Sequence, residues 1–284
     1  MRSIPPLAIN DRALYDSITA AKREPRRRRL ALARPRVLAA YATYRLLAPD
    51  LDTLEAAHLP QTRQEALRHA YTVETQPMTD LRGRLLERAE SARCPFCGIS
   101  ESSTLDHYLP KELYPEFSVY SRNLVPSCGF CNNLKRELIV DNNTGVRVFV
   151  HPYFDFIPRE DFLSVRVRIS NNALILSYRL QRPANMPRRT FQRLGLHFDA
   201  LGLADRYRRM GLEHLGGQYP SLRRAYGDNR DAARVANKLA EEAEDFEEAF
   251  GPNYWLAKLY RGLAGNAQFC DGGFDVVRTR TQPL

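Results

Sequence analysis

The spacing of apolar positions predicts helices throughout residues 1–90. Asn10 or Asp11 can cap a first helix over roughly residues 11–22. Apolar side chains at helical spacing then predict a second helix, with Leu30, Leu32, Val37, Leu38, Tyr41, Tyr44 and Leu47 on its buried face. Two further helices are predicted at residues 61–72 and 79–90. The last of these leads the chain to a pair of cysteines.

Further along the chain, apolar and polar residues alternate strictly, and the helical spacing of apolar residues ends. Phe162–Ile169 and Ala173–Tyr178 alternate apolar and polar residues on either side of a polar turn, which predicts a β-hairpin. Its polar side carries Arg166 and Arg168, which can face solvent or nucleic acid. From Pro187 onward the pattern is helical again. The chain is therefore predicted to be α+β, with mainly helical flanks around a central segment. The expected regions are residues 1–90 (helical and basic), 91–150 (the central module) and 151–284 (hairpin plus helices).

The composition is that of a globular protein. Of 284 residues, 44% are hydrophobic and 26% are charged, which is ordinary for a soluble chain. No uninterrupted apolar stretch approaches a membrane span, and the N-terminus lacks the apolar run of a signal peptide. We therefore expect a cytoplasmic protein with no membrane partner.

The net charge of +9 is unevenly distributed. Residues 91–150 are neutral, with six Lys or Arg and six Asp or Glu, so the surplus lies on the two flanks. Basic flanks can hold a polyanion, although mild basicity also serves solubility alone. Arg26, Arg27, Arg28 and Arg29 form the densest cluster and are expected to contact DNA phosphates. The alternative is a solvated helix start after Pro25. A late acidic run, from Glu241 to Glu248, suits solvent or a basic partner protein.

Two cysteine pairs frame the central segment. Cys94 and Cys97 form the first pair, Cys128 and Cys131 form the second, and 30 residues separate them. This spacing is typical of one tetrahedral zinc site with four thiolate ligands. Disulfides are the alternative, but a fifth cysteine, Cys270, and the missing secretory signal favour zinc in a reducing compartment. Zinc held by four thiolates has no open position, so its role would be structural.

Polar residues between and after the cysteine pairs can supply chemistry. Successive side chains at a strand end point to opposite faces, so Asp106 can hold a hard cation while His107 acts on a water. Asn132, at the start of a predicted helix over residues 132–138, offers an amide oxygen suited to Mg²⁺. Asn123, at the head of the second strand, can bridge the loop backbone and orient His107. Taken singly, these residues are also explained as a loop cap, a surface histidine, a helix N-terminal asparagine and a turn residue. Their combination inside one zinc site favours the functional interpretation.

The segment Cys94–Lys135 resembles the HNH nucleases, the zinc-containing ββα-metal (His-Me finger) family. His107 matches the first histidine of the motif, Asn123 the middle asparagine and Asn132 the last position. Asp106 matches the carboxylate that shares the metal, and the Asn-x-x-Lys ending is also found in the family. The last position is Asn rather than His, which leaves the metal preference open.

The resemblance implies a metal-dependent endonuclease mechanism. His107 would take a proton from water, the hydroxide would attack the phosphate, and a divalent ion on Asp106 and Asn132 would stabilise the leaving 3′ oxygen. The implied cofactors are structural zinc and catalytic Mg²⁺ or another divalent cation, with DNA as substrate and Lys135 as a further nucleic-acid contact. The motif covers about 42 of 284 residues and does not specify the target. The alternatives are a non-catalytic zinc adaptor that binds nucleic acid or protein, and the same nuclease acting on RNA.

A narrower resemblance concerns the nucleases of bacterial anti-phage systems. Asp106–Lys111, Tyr114–Glu116 and Asn123–Cys128 are similar to HNH components of Septu-type and type II Zorya systems. His151–Asp155 is similar to the stretch directly after the module in that group. Membership would imply an ATPase or another defence subunit as partner. His151 itself can be an accessory ligand or phosphate contact, or part of a packed turn that seats the hairpin. No spacing links it to the metal residues, which favours the packed turn.

Overall fold

The computed structural model describes residues 1–90 and 93–278 and shows an α+β protein, as predicted. Its residues form two compact units. The first comprises Met1–Ile157 with Gln192–Leu201, and the second comprises Pro158–Phe191 with Gly202–Leu284. Residues 1–90 and 91–150, which the sequence pattern treats as separate regions, thus share one unit.

Four helices open the first unit: α1 (Asp11–Ala20), α2 (Arg26–Leu47), α3 (Gln61–Thr72) and α4 (Gln76–Glu90). The bounds of α3 are those predicted, whereas α4 begins earlier than residue 79. Asn10 caps α1, because its side chain accepts a hydrogen bond from the Ala13 amide at 3.1 Å. The prediction that Leu32 faces the core is wrong, since it is 52% exposed. The buried stripe of α2 runs instead through Leu30, Ala33, Val37, Tyr41 and Tyr44.

An aromatic cluster joins α2 to the loop between the first two strands. The rings of Tyr41 and Tyr120 stack with centroids 4.0 Å apart, and Tyr44 meets Phe117 edge-on at 5.0 Å. All four side chains are buried. Aromatic pairs of this kind contribute about 0.5–1.5 kcal/mol beyond their buried area. The cluster therefore holds the loop in a defined position.

Two short strands and a short helix form the centre of the first unit. β1 (Thr104–His107) pairs antiparallel with β2 (Leu124–Ser127), and the next element is α5 (Gly129–Lys135). The prediction of a helix over residues 132–138 is wrong in position. Helix α5 starts earlier because the Cys128 side chain caps it, and it ends at Lys135 because Arg136 has a left-handed φ of 43°.

The second unit begins with the predicted hairpin of β3 (Leu163–Ser170) and β4 (Ala173–Leu180). Asn171 and Asn172 have positive φ angles of 49° and 57°, as a two-residue type I′ turn requires. Close packing covers one face of the hairpin, since a Cβ on Gly262 would lie 2.7 Å from Val165 Cγ1. The remaining α-helices of the described residues are α6 (Arg188–Ala200), α7 (Leu203–Tyr226), α8 (Ala232–Phe250), α9 (Trp255–Ala264) and α10 (Ala267–Cys270). Helix α6 belongs to the first unit from Gln192 onward. Among the described residues, no helix combines the length and apolar character needed to cross a membrane.

Candidate metal centre and candidate active site

The four paired cysteines converge in the first unit. The Sγ atoms of Cys94, Cys97, Cys128 and Cys131 all lie within 4.8 Å of one another, and all four residues are buried. The Sγ atoms of Cys97 and Cys128 are 3.9 Å apart, and no disulfide joins the four cysteines. Tetrahedral Zn–S bonds of about 2.3 Å place neighbouring sulfurs roughly 3.8 Å apart, so the cluster fits one zinc ion. Backbone amides of Ile99 and Cys131 point at the Cys97 and Cys128 sulfurs, which favours thiolates.

A histidine from a distant part of the sequence forms a hydrogen bond with the backbone between the first two cysteines. His197 on α6 accepts a hydrogen bond from the Val150 amide at Nδ1, at 3.2 Å. Its proton is therefore on Nε2, which donates to the Phe96 carbonyl at 2.7 Å. Phe96 lies between Cys94 and Cys97, so His197 fixes the backbone that presents both sulfurs.

Asp106 lies on β1 and forms an ion pair with Lys135 of α5. The Lys135 Nζ is 3.1 Å from Asp106 Oδ2 and donates to the His107 backbone oxygen at 2.8 Å. Both side chains are buried. Burial raises the pKa of Asp106 to about 6, although the nearby ammonium opposes this shift, and burial also lowers the pKa of Lys135. The predicted position of Lys135 at a nucleic-acid surface is wrong, because its ammonium points into the protein.

His107 is held in one orientation by the loop between the strands. Its Nε2 lies 2.9 Å from the Ser118 carbonyl, which can only accept, so Nε2 carries the proton. The Nδ1 lone pair is left without a hydrogen-bond partner among the described residues. The Tyr71 ring meets the imidazole edge-on, with centroids 4.2 Å apart. Burial, with smaller contributions from Lys111 and Lys135, lowers the pKa of His107 to about 3, so the ring is neutral at physiological pH.

Asn123 is buried and bridges the loop that holds His107. Its Oδ1 accepts from the Leu109 amide at 2.8 Å, and its Nδ2 donates to the Leu109 carbonyl at 3.0 Å and the Phe117 carbonyl at 3.4 Å. The next residue, Ser118, provides the carbonyl that binds His107. This arrangement has the form expected of a residue that orients the histidine.

A directed chain of hydrogen bonds reaches Asn123 from two other parts of the unit. His151 accepts from the Tyr153 amide at Nδ1, so its Nε2 carries the proton and donates to the Tyr44 hydroxyl at 2.9 Å. The Tyr44 hydroxyl donates to Asn123 Oδ1 at 3.3 Å. His151, Tyr44 and Asn123 are all fully buried. His151 is therefore part of a packed turn, and through Tyr44 it also supports the loop at Asn123.

Asn132 lies near the middle of the short helix α5, and its side chain forms a hydrogen bond with β1. Its Nδ2 donates to Thr104 Oγ1 at 3.2 Å, and that hydroxyl donates to the Ser127 carbonyl at 3.0 Å. The amide is thereby oriented, and within the described part of the chain Oδ1 of Asn132 accepts no hydrogen bond. Asn132 and Lys135 approach β1 at Thr104 and Asp106 respectively, so the two expected cation ligands belong to one strand–helix contact.

The expected DNA-contact arginines stand at the start of α2. Arg26, Arg27 and Arg28 are exposed and Arg29 is half-buried. Arg27 pairs with Glu24 at 2.9 Å. The Glu24 carboxylate also accepts a hydrogen bond from the Arg28 amide at 3.2 Å, so an acidic group lies beside these cations at the positive end of the helix dipole. Lys22 of the same sequence cluster is buried and donates to the Val73 carbonyl.

Several residues around the site carry no recognisable sequence signal. Tyr44 belongs to the apolar stripe of α2, and nothing in that pattern reveals its hydroxyl contacts. Tyr71, His197 and the Ser118 carbonyl likewise meet the site through contacts distant in sequence. Only the spacing of Lys135 from Asn132, three positions along a helix, places both on one face.

Two known proteins share sequence similarity with this chain. Protein ea31 of Escherichia phage lambda is 31% identical over 198 residues, which cover 63% of this chain and 64% of that protein. The Septu protein PtuB of Bacillus thuringiensis is 36% identical over 77 residues, 25% of this chain and 29% of that protein. The chain thus spans less than two thirds of the length of either relative. No family model matches the chain, and no solved structure matches it.

Proposed function

We propose that this protein is a metal-dependent endonuclease of the HNH type that hydrolyses DNA phosphodiester bonds in anti-phage defence. The observation that carries the proposal is the hydrogen bonding of the two ring nitrogens of His107. Its Nε2 is anchored on the Ser118 carbonyl and its Nδ1 lone pair is unengaged. Asp106 is adjacent in sequence, and the helix that bears Asn132 packs beside the same strand.

His107 would act as the general base. A neutral imidazole with one nitrogen fixed can take a proton from water at the other, and this role typically contributes about 10²–10⁴-fold to a rate. Asn123 would keep the loop carbonyl in place so that the lone pair stays directed at the water.

Asp106 and Asn132 would hold the catalytic divalent cation. When bound, such a cation neutralises the charge that develops on the leaving oxygen. Carboxylate and amide oxygens are suitable hard ligands, and Asn132 Oδ1 is free to serve. Lys135 would keep Asp106 ionised in its buried position by charge pairing, rather than contact the substrate.

DNA is the proposed substrate, and Arg26, Arg27, Arg28 and Arg29 are the proposed backbone contacts. Guanidinium groups suit phosphate contacts because their planar fork binds two phosphate oxygens at once. RNA is the alternative substrate, because the chemistry acts on the phosphodiester.

The defence role is supported by the similarity to the Septu protein PtuB. The similarity to a phage lambda protein shows that related sequence also occurs in a phage. An ATPase or other defence subunit is the partner that the Septu resemblance suggests.

A plasmid-cleavage assay with and without Mg²⁺ tests the proposal. Wild-type protein should cleave only with the cation, and His107→Ala should lose at least about 10²-fold in rate while zinc content and DNA binding persist. His214→Ala is the matched control, because His214 lies in the second unit and bonds to Tyr260. Unchanged cleavage by His107→Ala would overturn the assignment.

A non-catalytic zinc adaptor is the second candidate. The observation that favours it is the Lys135 ammonium, which already neutralises Asp106 and would weaken cation binding there. Wild-type protein that binds zinc and DNA but cleaves neither DNA nor RNA with Mg²⁺ or Mn²⁺, alone or with its partner, would establish the adaptor.

A further inference from the structure

We propose that the outer face of the β3–β4 hairpin is a second nucleic-acid contact, which binds the phosphate backbone of duplex DNA. The register of the hairpin places alternate residues of both strands on this face. They are Ser164, Arg166, Arg168, Ser170, Ala173, Ile175, Ser177 and Arg179. Three arginines and three serines thus share a surface that bears no acidic side chain.

These three arginines are exposed and unpaired. Within the described residues, Arg166, Arg168 and Arg179 have no ion pair and no side-chain hydrogen bond. Other arginines of the same unit are paired: Arg208 and Arg209 both meet Asp205, and Arg261 meets Glu247 at 2.7 Å. Unpaired cations on one rigid face can exchange their counterions for phosphates, which is the main source of affinity for DNA.

The opposite face of the hairpin packs against α7 and α9, which hold the ribbon in place. Val165 and Val167 contact Gly262 of α9, and Leu176 and Tyr178 contact Gly211 of α7. The outer side chains are therefore presented from a supported sheet. Rigid presentation reduces the entropy lost on binding.

The dimensions of the ribbon suit a double helix. Arg166 and Arg168 are two residues apart on one strand, which is about 6.8 Å. Arg179 pairs with Ser164, and Ser177 pairs with Arg166, so arginine and serine alternate across the strands. A major groove roughly 12 Å wide admits a two-stranded ribbon, and arginine and serine side chains are common phosphate donors.

The composition favours DNA over an anionic membrane. Ile175 is the one large apolar residue on the outer face, and it is partly buried. Surfaces that insert into a membrane interface carry several large apolar side chains opposite their cations. The choice of DNA as the polyanion rests on the proposed function, but binding is measurable without cleavage.

The test compares two variants that each remove three positive charges. One is Arg166→Ala/Arg168→Ala/Arg179→Ala, and the control is Arg208→Ala/Arg209→Ala/Arg261→Ala. Fluorescence anisotropy with a labelled duplex of random sequence, without divalent cations, gives affinity across a salt series. The hairpin variant should bind at least about 10-fold more weakly, and its salt slope should fall by roughly two to three. The control should stay within about two-fold of wild type.

A third variant separates charge from folding. Arg166→Lys/Arg168→Lys/Arg179→Lys keeps the charge and should retain most of the salt slope. Wild-type affinity in the alanine variant, or an equal loss in the control, would refute the proposal. The proposal would also be refuted if the alanine variant lost binding to phosphatidylserine vesicles but kept wild-type binding to DNA. That result would assign the face to a membrane. If this face binds DNA but no divalent ion supports cleavage, the contact stands and the proposed nuclease function fails.

Discussion

The cysteine-framed segment and the hairpin unit are stabilised in different ways. From Cys94 to Lys135, the regular elements are two strands of four residues and one helix of seven, besides a 3₁₀ turn. The second unit has two eight-residue strands and helices as long as 24 residues. Short elements bury too little apolar surface to be stable alone. The segment relies instead on its cysteine cluster and on buried polar side chains that bond to the backbone.

The two units differ in whether the same residues serve both stability and chemistry. In the first unit, residues that fix the backbone also orient His107 and Asn132, such as Asn123 and Thr104. In the second unit, apolar packing carries the fold, and most charged residues lie on the surface, with Arg206 and Lys258 as buried exceptions. Substitution of such backbone-fixing residues in the first unit should therefore lower both stability and activity, whereas substitution of packing residues in the second unit should lower stability alone.

Removing a zinc ligand should produce the largest difference in stability between the two units. Cys97→Ser or Cys131→Ser leaves three thiolates, and structural zinc contributes on the order of 10 kcal/mol to folding. We expect the first unit to unfold and lose zinc while the second unit remains compact. Elemental analysis and limited proteolysis with mass spectrometry measure both effects.

Cys270→Ser provides the control for thiol loss. Cys270 is buried in the second unit, outside the cluster, and donates to the Leu263 carbonyl. This variant should keep stoichiometric zinc and an intact first unit. Folded, protease-resistant Cys97→Ser protein without zinc would show that the cluster is dispensable.

Breaking the buried ion pair should have the next largest effect. Lys135→Met leaves Asp106 buried without its partner, which costs about 3 kcal/mol or more. Urea unfolding in the presence of zinc measures the loss. In the second unit, the partly exposed pair of Lys238 and Glu242 is the matched comparison, and Lys238→Met should cost less than about 1 kcal/mol. Equal losses in the two variants would mean that Asp106 is solvated.

Local sequence patterns predicted the regular elements well. The Asn-Asn turn and the alternating strands defined the hairpin, and the cysteine spacing anticipated the cluster. Helix α5 was misplaced because Cys128 serves as its cap, a role that the spacing of zinc ligands does not reveal. The inward position of Lys135 was missed because a lysine three positions after Asn132 is equally typical of a surface contact.

The supporting contacts of the candidate site were beyond prediction from the sequence. Tyr44 is 79 residues from Asn123 and 107 residues from His151, and His197 is 101 residues from Phe96. Periodicity indicates which face of an element is buried but not which distant polar group it meets. The catalytic roles of His107, Asp106, Asn123 and Asn132 remain predictions that the proposed assays test.

The smallest effect concerns the hydroxyl of Tyr44. Tyr44→Phe keeps the aromatic packing and removes the partner of both His151 Nε2 and Asn123 Oδ1. We expect a loss of about 1 kcal/mol in unfolding free energy. Tyr178→Phe is the counterpart in the second unit, where one hydroxyl donates to the Trp255 carbonyl at 3.2 Å, and it should cost a similar amount. The two variants should differ in catalysis, because only Tyr44 supports the loop that orients His107. Tyr44→Phe should lower kcat several-fold with KM unchanged, whereas Tyr178→Phe should leave both constants at wild-type values. If kcat were equal in the two variants, the Tyr44 hydroxyl would contribute to stability but not to the orientation of His107.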